Sequence, residues 1–252
     1  ARRQRQMCIR DRSKIAALAT GRVPFFEPGL PEILTRTVES GRLNFTTSYA
    51  DAADFAHVHF LGVGTPQTHG SYAADLTYVY AAIDTLVPLL RGDHIIFGKS
   101  TVPVGTAADL QARVDRLAPE GTHVEIVWNP EFLREGFAVK DTISPDRIVL
   151  GTDAPDSPAV DTAREIYAQP LSQGTPFVLT NLPTAELVKV SANSFLATKI
   201  SFINAVSEIC EVTGADVVKL AEAIGYDDRI GKKFLRALSL IHISEPTRQA
   251  EI

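Results

Sequence analysis

The 252-residue sequence predicts an α/β protein with a parallel sheet, because apolar runs of strand length alternate with segments of helical period. The runs are rich in β-branched residues and nearly continuously apolar, as strands buried on both faces are. No internal repeat or low-complexity linker interrupts the alternation.

In order, strands are expected at His57–Val63, His94–Gly98, Val124–Trp128, Arg147–Gly151 and Phe177–Thr180. Helical spacing fills Ala73–Leu90, through Leu76, Val79, Ile83, Leu86 and Leu90, and then Thr106–Leu117, with Gly105 and Thr106 at its mouth as a cap. After Asn181 the texture changes. From Pro183 to about Thr213 a helical pattern runs without a further proline or glycine, a length of roughly 45 Å at 1.5 Å per residue. Its apolar residues face several directions, which predicts a largely buried helix of the kind that joins two domains. A short helix, Asp216–Ile224, follows and ends at Gly225.

Composition narrows the function. The chain is 45% hydrophobic and 22% charged with a net charge of −5, an acidic balance that argues against nucleic acid as a partner. It has no run of about eighteen apolar residues, so no membrane span is expected, and the basic first residues lead into no apolar core of a signal peptide. Its two cysteines, Cys8 and Cys210, are too few for a disulfide framework or a cysteine zinc site. A cytoplasmic protein without a structural metal is the expectation. Residues 1–12 and 238–252 share neither composition nor period with their neighbours and resemble translated library-junction sequence; an ordinary terminal tail is the alternative.

Three loci carry chemistry. Ligands of a parallel sheet bind beyond the carboxyl ends of its strands. There the sequence has Gly62-Val63-Gly64-Thr65-Pro66 after one strand and Lys99-Ser100-Thr101-Val102-Pro103-Val104-Gly105-Thr106 after the next. Small and hydroxyl residues would let a dinucleotide approach the backbone, although such turns also serve structure alone. Asn129-Pro130-Glu131-Phe132-Leu133-Arg134-Glu135-Gly136 follows the third strand. Its acids and arginine suit a general base with a charge partner, or else a solvated loop. Lys189 and Asn193 stand four apart on one helix face, where a lysine either snorkels to water or finds an anion.

The strings FFEPGL, GRLNFTT, VGTP, KSTVPVGT, NPEFLREG, PDRIVLG, AELVKVSANSFLATKISFINA and YDDRIGKKFL occur in one order between about Ser13 and Ala237. Taken together they resemble the UDP-glucose 6-dehydrogenase family, bacterial members above all, within the wider UDP-glucose/GDP-mannose dehydrogenases. The resemblance implies a partial Rossmann-type NAD-binding domain over 13–182. A connecting helix and the start of an all-α middle domain over 183–237 would follow, through which the parent protein forms a homodimer. It implies an NAD-dependent, two-step oxidation of UDP-glucose to UDP-glucuronate, in which a cysteine captures the intermediate aldehyde. Carried over by position, Thr101, Glu131, Lys189 and Asn193 match catalytic residues. Lys14, Val63, Gly64, Thr65, Pro66, Ser100, Thr101, Val102 and Glu135 match NAD contacts. Glu131, Phe132, Leu133, Arg134, Glu135, Lys189, Asn193 and Arg229 match substrate contacts.

The departures are equally specific. The family's opening strand and glycine-rich phosphate loop are absent, and Ile9 stands where the ribose carboxylate should be. Neither Cys8 nor Cys210 matches the nucleophile, so this chain is expected to be inactive on its own. A GDP-mannose or UDP-aminosugar dehydrogenase, and a non-catalytic nucleotide-binding fragment, are the alternative readings.

Overall fold

The structure, a computed structural model, describes residues 5–8 and 11–237. The chain divides into two compact units, Ala1–Lys189 and Val190–Ile252. This division falls inside the long helix rather than at its start, where the sequence pattern changes.

In the first unit a two-stranded parallel sheet comes first. Strand β1 (Arg5–Cys8) pairs with β2 (Leu43–Thr46). Helices α1 (Arg12–Ala19) and α2 (Leu30–Glu39) lie between them in sequence, and α3 (Tyr49–Phe55) follows. Residues 5–8, set apart on composition, are thus strand; Ile9 and Leu238–Ile252 lie outside the described residues. The Asp11 carboxylate caps α1 by accepting from the backbone amides of Ser13 and Lys14 at 2.8 and 3.2 Å.

The main sheet has five strands in sequence order: β3 (Val58–Leu61), β4 (Asp93–Gly98), β5 (His123–Trp128), β6 (Ile148–Gly151) and β7 (Phe177–Thr180). Strands β3, β4 and β5 are parallel in register, as are β6 and β7. The fully parallel sheet expected from the sequence is corrected at one seam, where β5 meets β6 antiparallel through Trp128 and Gly151. The physical reason lies in the connection. Between β5 and β6 the chain spends its length on a loop and the six-residue helix α6 (Ala138–Ile143), not on the covering helix of a parallel crossover.

The middle strands β4, β5 and β6 are buried on both faces, whereas the edge strands β3 and β7 expose Phe60, Val178 and Leu179, short of the two-sided burial expected of every run. On one face Ile96, Ile126 and Trp128 pack with Val79 and Ile83 of α4 (Thr77–Leu86) and Leu110 and Val114 of α5 (Thr106–Leu117). On the other, Phe97, Val127 and Leu150 pack with Ala159, Val160 and Ala163 of α7 (Pro158–Ile166). A short helix α8 (Ala168–Ser172) precedes β7. Helix α9 (Leu182–Thr213) opens against β6, with Leu182 and Ala185 in the first core and Gly151 lacking the side chain that would strike Ala185.

At the amino ends of β3 and β4 three imidazoles meet. His57 and His59 lie with ring centroids 4.8 and 5.3 Å from His94, and His59 Nε2 is 3.1 Å from His94 Nδ1. His94 is buried, and its Nε2 lies 2.9 Å from the carbonyl of Arg91, which it meets as a donor. Burial first, and then the charges of His94 and His57, pull the His59 pKa from 6.5 to about 4. The folded chain therefore refuses a proton that the unfolded chain accepts below about pH 6.5, so stability is full above that pH and falls as pH drops toward 4. Urea unfolding is expected to show a loss on the order of 2 kcal/mol between about pH 7.5 and pH 5, much of it removed in His59→Gln. Equal pH slopes for the two proteins would refute this source.

The second unit, taken by itself, holds the rest of α9 and then α10 (Val217–Gly225), whose cap is Asp216, accepting from the amides of Val218 and Lys219 at 2.8 and 3.1 Å. Lys199 Nζ donates to the carbonyl of Ile230 at 2.9 Å and ties α9 to the segment after α10. Cys210 is buried within α9. Among the described residues no helix is long and apolar enough to cross a membrane.

Candidate active site

Each of the first three strands of the main sheet ends in a loop at the same edge, and hydrogen bonds lock the loops together. Lys99 N donates to the carbonyl of Leu61, and Asn129 N to that of Gly98, at 2.9 and 2.8 Å. Ser100 Oγ donates to the carbonyl of Val63 at 2.6 Å, and Thr65 Oγ1 to that of Thr101 at 2.7 Å. The Val63–Pro66 and Ser100–Val102 segments, linked in the sequence only by type, therefore form one platform. Gly62 and Gly64 are exposed on it, with open space where a side chain would stand.

Glu131 and Lys189 meet at this edge. Lys189 Nζ, on α9, donates to Glu131 Oε1 at 3.2 Å, while Glu131 Oε2 accepts from the amide of Leu133 at 2.6 Å. The lysine is 8% exposed, so its charge is satisfied by an anion and not by snorkelling. Phe132 lies beneath two cations, with the Arg147 guanidinium 3.8 Å and Lys189 Nζ 5.4 Å from its ring centroid. Arg134 is turned to Asp141, bonding it with Nε at 2.9 Å and Nη2 at 2.6 Å. Leu133 and Glu135 are exposed on the same loop. The loop is braced from the other side by Glu27, whose buried carboxylate accepts from the amides of Gly136 and Val139 at 2.9 and 3.3 Å.

Lys14 is exposed on α1. In the second unit, Asn193 is exposed on α9, and Arg229 is paired with its neighbour Asp227 at 2.6 Å.

Sequence reasoning gave no role of their own to four residues, two of which, Lys99 and Asn129, head loci it named. Lys99 Nζ donates to Asn129 Oδ1 at 3.0 Å and to the Tyr167 hydroxyl at 3.3 Å; that hydroxyl donates to the same Asn129 oxygen, and Asn129 Nδ2 donates to the carbonyl of Val149 at 2.7 Å. Burial pulls the Lys99 pKa down to about 8, with Glu131 opposing that fall and Lys189 adding to it. Burial likewise raises the Tyr167 hydroxyl to about 12. Only the positions of Lys99 and Asn129, each first past a strand, could have marked them. The fourth is Glu186, one helical turn before Lys189 and 1% exposed. Its two carboxylate oxygens accept from the amides of Gly105 and Ala107, both at 2.7 Å. The amino end of α5, a natural anion seat, is therefore already filled by a carboxylate of the chain itself.

A cavity of about 900 Å³ lies elsewhere, at the amino ends of the strands, lined by His57, Asp93, His94, Gln111, Asp115 and His123 among others. It is the wrong edge for the ligand of a parallel sheet. Among the described residues no group of three or more histidine, cysteine, aspartate or glutamate side chains is placed to hold a metal ion.

A largely parallel sheet covered on both faces, with small-residue loops gathered at the carboxyl ends of its strands, defines a Rossmann-type nucleotide-binding protein. Comparison with known proteins makes this specific. The profile of the UDP-glucose/GDP-mannose dehydrogenase family, NAD binding domain, matches residues 5–171, and the central-domain profile of that family matches 183–239. A UDP-glucose 6-dehydrogenase of Rhizobium meliloti is 45% identical over 232 residues, 92% of this chain and 53% of that protein. One from Bacillus subtilis is 44% identical over 230 residues, 91% of this chain and 49% of that protein. A solved UDP-glucose dehydrogenase from the hyperthermophilic archaeon Pyrobaculum islandicum superposes with a TM-score of 0.83 at 38% identity, covering 89% of this chain and 51% of that one. A GDP-mannose dehydrogenase from Pseudomonas aeruginosa gives a TM-score of 0.84 at 27% identity, over 93% and 54%. The chain belongs to the UDP-glucose/GDP-mannose dehydrogenase family. It spans about half the length of the curated relatives it matches.

Proposed function

We propose that this chain supplies the cofactor platform and the acid–base pair of an NAD-dependent UDP-glucose 6-dehydrogenase. The observation that carries the reading is the Glu131–Lys189 pair at 3.2 Å, held at the carboxyl edge of the sheet beside the Val63–Pro66 and Ser100–Val102 platform. When bound, NAD accepts hydride from the alcohol carbon. The platform fits such a group: glycines with open space above them, and backbone and hydroxyl groups in place of bulky side chains. Glu131, fixed by the Leu133 amide, takes the proton of the sugar hydroxyl, directly or through a water held by Thr101. Lys189 places its ammonium where negative charge grows on that oxygen. Phe132 to Glu135 line the substrate side of the same loop. Asn193, Arg229, Lys14 and a homodimer through the middle domain enter this reading on the family resemblance alone. This reading gives Cys210, buried in α9, no part in the second oxidation.

The test is a chimera in which residues 13–237 of this chain replace the corresponding segment of the Rhizobium meliloti relative. It should produce NADH with UDP-glucose at least about tenfold faster, in kcat/KM, than with GDP-mannose or UDP-N-acetylmannosamine. Preference for either of the others would overturn the substrate assignment. In the same protein, hydrogen exchange with and without NAD should slow at Val63–Pro66 and Ser100–Val102 and stay unchanged around His57, His94 and His123. Protection confined to the histidine edge would refute the platform.

A further inference from the structure

The proposed chemistry uses one lysine, yet a second, partly buried, stands at the same edge of the sheet. Lys99 follows β4 directly, and Asn129 occupies the same place after β5, so Lys99 Nζ and Asn129 Oδ1 meet at 3.0 Å beneath the loops that carry Thr101 and Glu131. The Tyr167 hydroxyl completes the contact from the α7–α8 junction. The acceptors here, an amide oxygen and a phenol, are both neutral. Lys99 thus has no carboxylate of its own. The charges that act on it are those of Glu131, from the β5–α6 loop, and Lys189, from α9. Arg147 stands over the adjoining Phe132 ring.

We propose that Lys99 is a positioning residue for the Glu131–Lys189 pair, a second cation behind the carboxylate that leaves the site net positive when an oxyanion forms. This rests on the dehydrogenase reading above and deepens it. With Lys189 alone, one ammonium must serve both Glu131 and the growing alkoxide. With Lys99 charged, two ammonium groups face the one negative charge as it passes from Glu131 to the sugar oxygen, and Lys189 can turn from one to the other without leaving Glu131 unopposed. The buried network does the placing: Asn129 is anchored to the Val149 carbonyl and cannot follow Lys99 outward. Because burial puts Lys99 near 8, its charge is lost just above neutral pH, and the cluster then loses its surplus cation.

Two measurements decide the matter. The first uses this chain, labelled with carbon-13 at lysine Cε, with the Lys99 resonance identified by its loss in Lys99→Met. That resonance should titrate near pH 8; the midpoint should fall in Glu131→Gln and rise in Lys189→Met. A midpoint at the ordinary 10.5, or one that neither substitution moves, overturns the proposal. The second uses the chimera. Lys99→Met should lower kcat about tenfold at neutral pH and abolish the alkaline limb near 8, whereas Lys99→Arg should keep the rate and move that limb upward. A fall in kcat with an unshifted pH profile would make Lys99 merely structural. If the unsubstituted chimera yields no NADH from UDP-glucose, the functional reading fails, and the titration still decides whether Lys99 is coupled to the pair.

Discussion

Lys189→Met in the chimera is expected to lower kcat for UDP-glucose by about 10²-fold, the usual cost of removing one preorganised donor from a developing oxyanion. The residue is 8% exposed and bonded to Glu131, so the substitution removes a fixed charge and not a mobile surface one. Methionine keeps the length and apolar stem of lysine, which limits the packing loss. If the ammonium acts on the transition state, kcat and kcat/KM should fall together while KM changes little. Glu131→Gln should fall to a similar rate, and the double substitution should cost far less than the product of the two, because the pair acts as a unit. Steady-state NADH production of all four proteins provides the check. Turnover of Lys189→Met within about threefold of the parent would remove it from the chemistry.

Gly98→Ala should destabilise the first unit by about 3 kcal/mol, toward the upper end of what overpacking costs. A methyl group on Gly98 would overlap the six-membered ring of Trp128, the residue beside it across the β4–β5 ladder. Trp128 is 1% exposed and packed among α4, α5 and α9, so the ring has nowhere to go. Relief must come from separating β4 and β5, which are the strands that carry Lys99 and Asn129 at their ends. Urea unfolding measures the stability loss, and the carbon-13 titration of Lys99 should move toward the ordinary lysine range as its enclosure loosens. Gly121→Ala is the contrasting case: a methyl group there meets open space, and the cost is that of a positive φ of 73° alone. A smaller loss in Gly98→Ala than in Gly121→Ala would contradict the packing account.

The legible parts of the fold were those that bury long apolar stretches. Helix α5 and strand β7 have the bounds their periodicity predicts, Thr106–Leu117 and Phe177–Thr180; α5 is clamped in the core by Ala107, Leu110 and Val114, and β7 is held by its pairing with β6 and by Phe177. Helix α4 begins at Thr77 instead of Ala73 because Asp75 accepts from the Thr77 amide at 2.9 Å and holds the preceding residues out of the helix. Elements before His57 were not anticipated. Strands β1 and β2 have four residues each, too few for a period to show, although Gly29 and Pro31 at the mouth of α2 were readable helix-start signals. The antiparallel seam was invisible because β6, buried throughout, has the same continuous apolar run as the parallel strands beside it.

For the candidate site, spacing joined only Lys189 to Asn193. The pairing of Lys189 with Glu131, far apart in the chain, depends on how α9 docks against β6. The Lys99–Asn129–Tyr167 contact likewise draws on three separate segments. Tyr167 carries no local signal at all, standing between two short helices.

The carboxylate of Glu186 gives the first turn of α5 a dependence that its own sequence does not contain. The amides of Gly105 and Ala107 are held from another segment of the chain, so they can exchange with deuterium only when α9 lets go of them. Fraying at the start of α5 and release of the Lys189 turn thus become one opening event with one free energy. Those two amides would report, at equilibrium and without substrate, how often the lysine leaves its place.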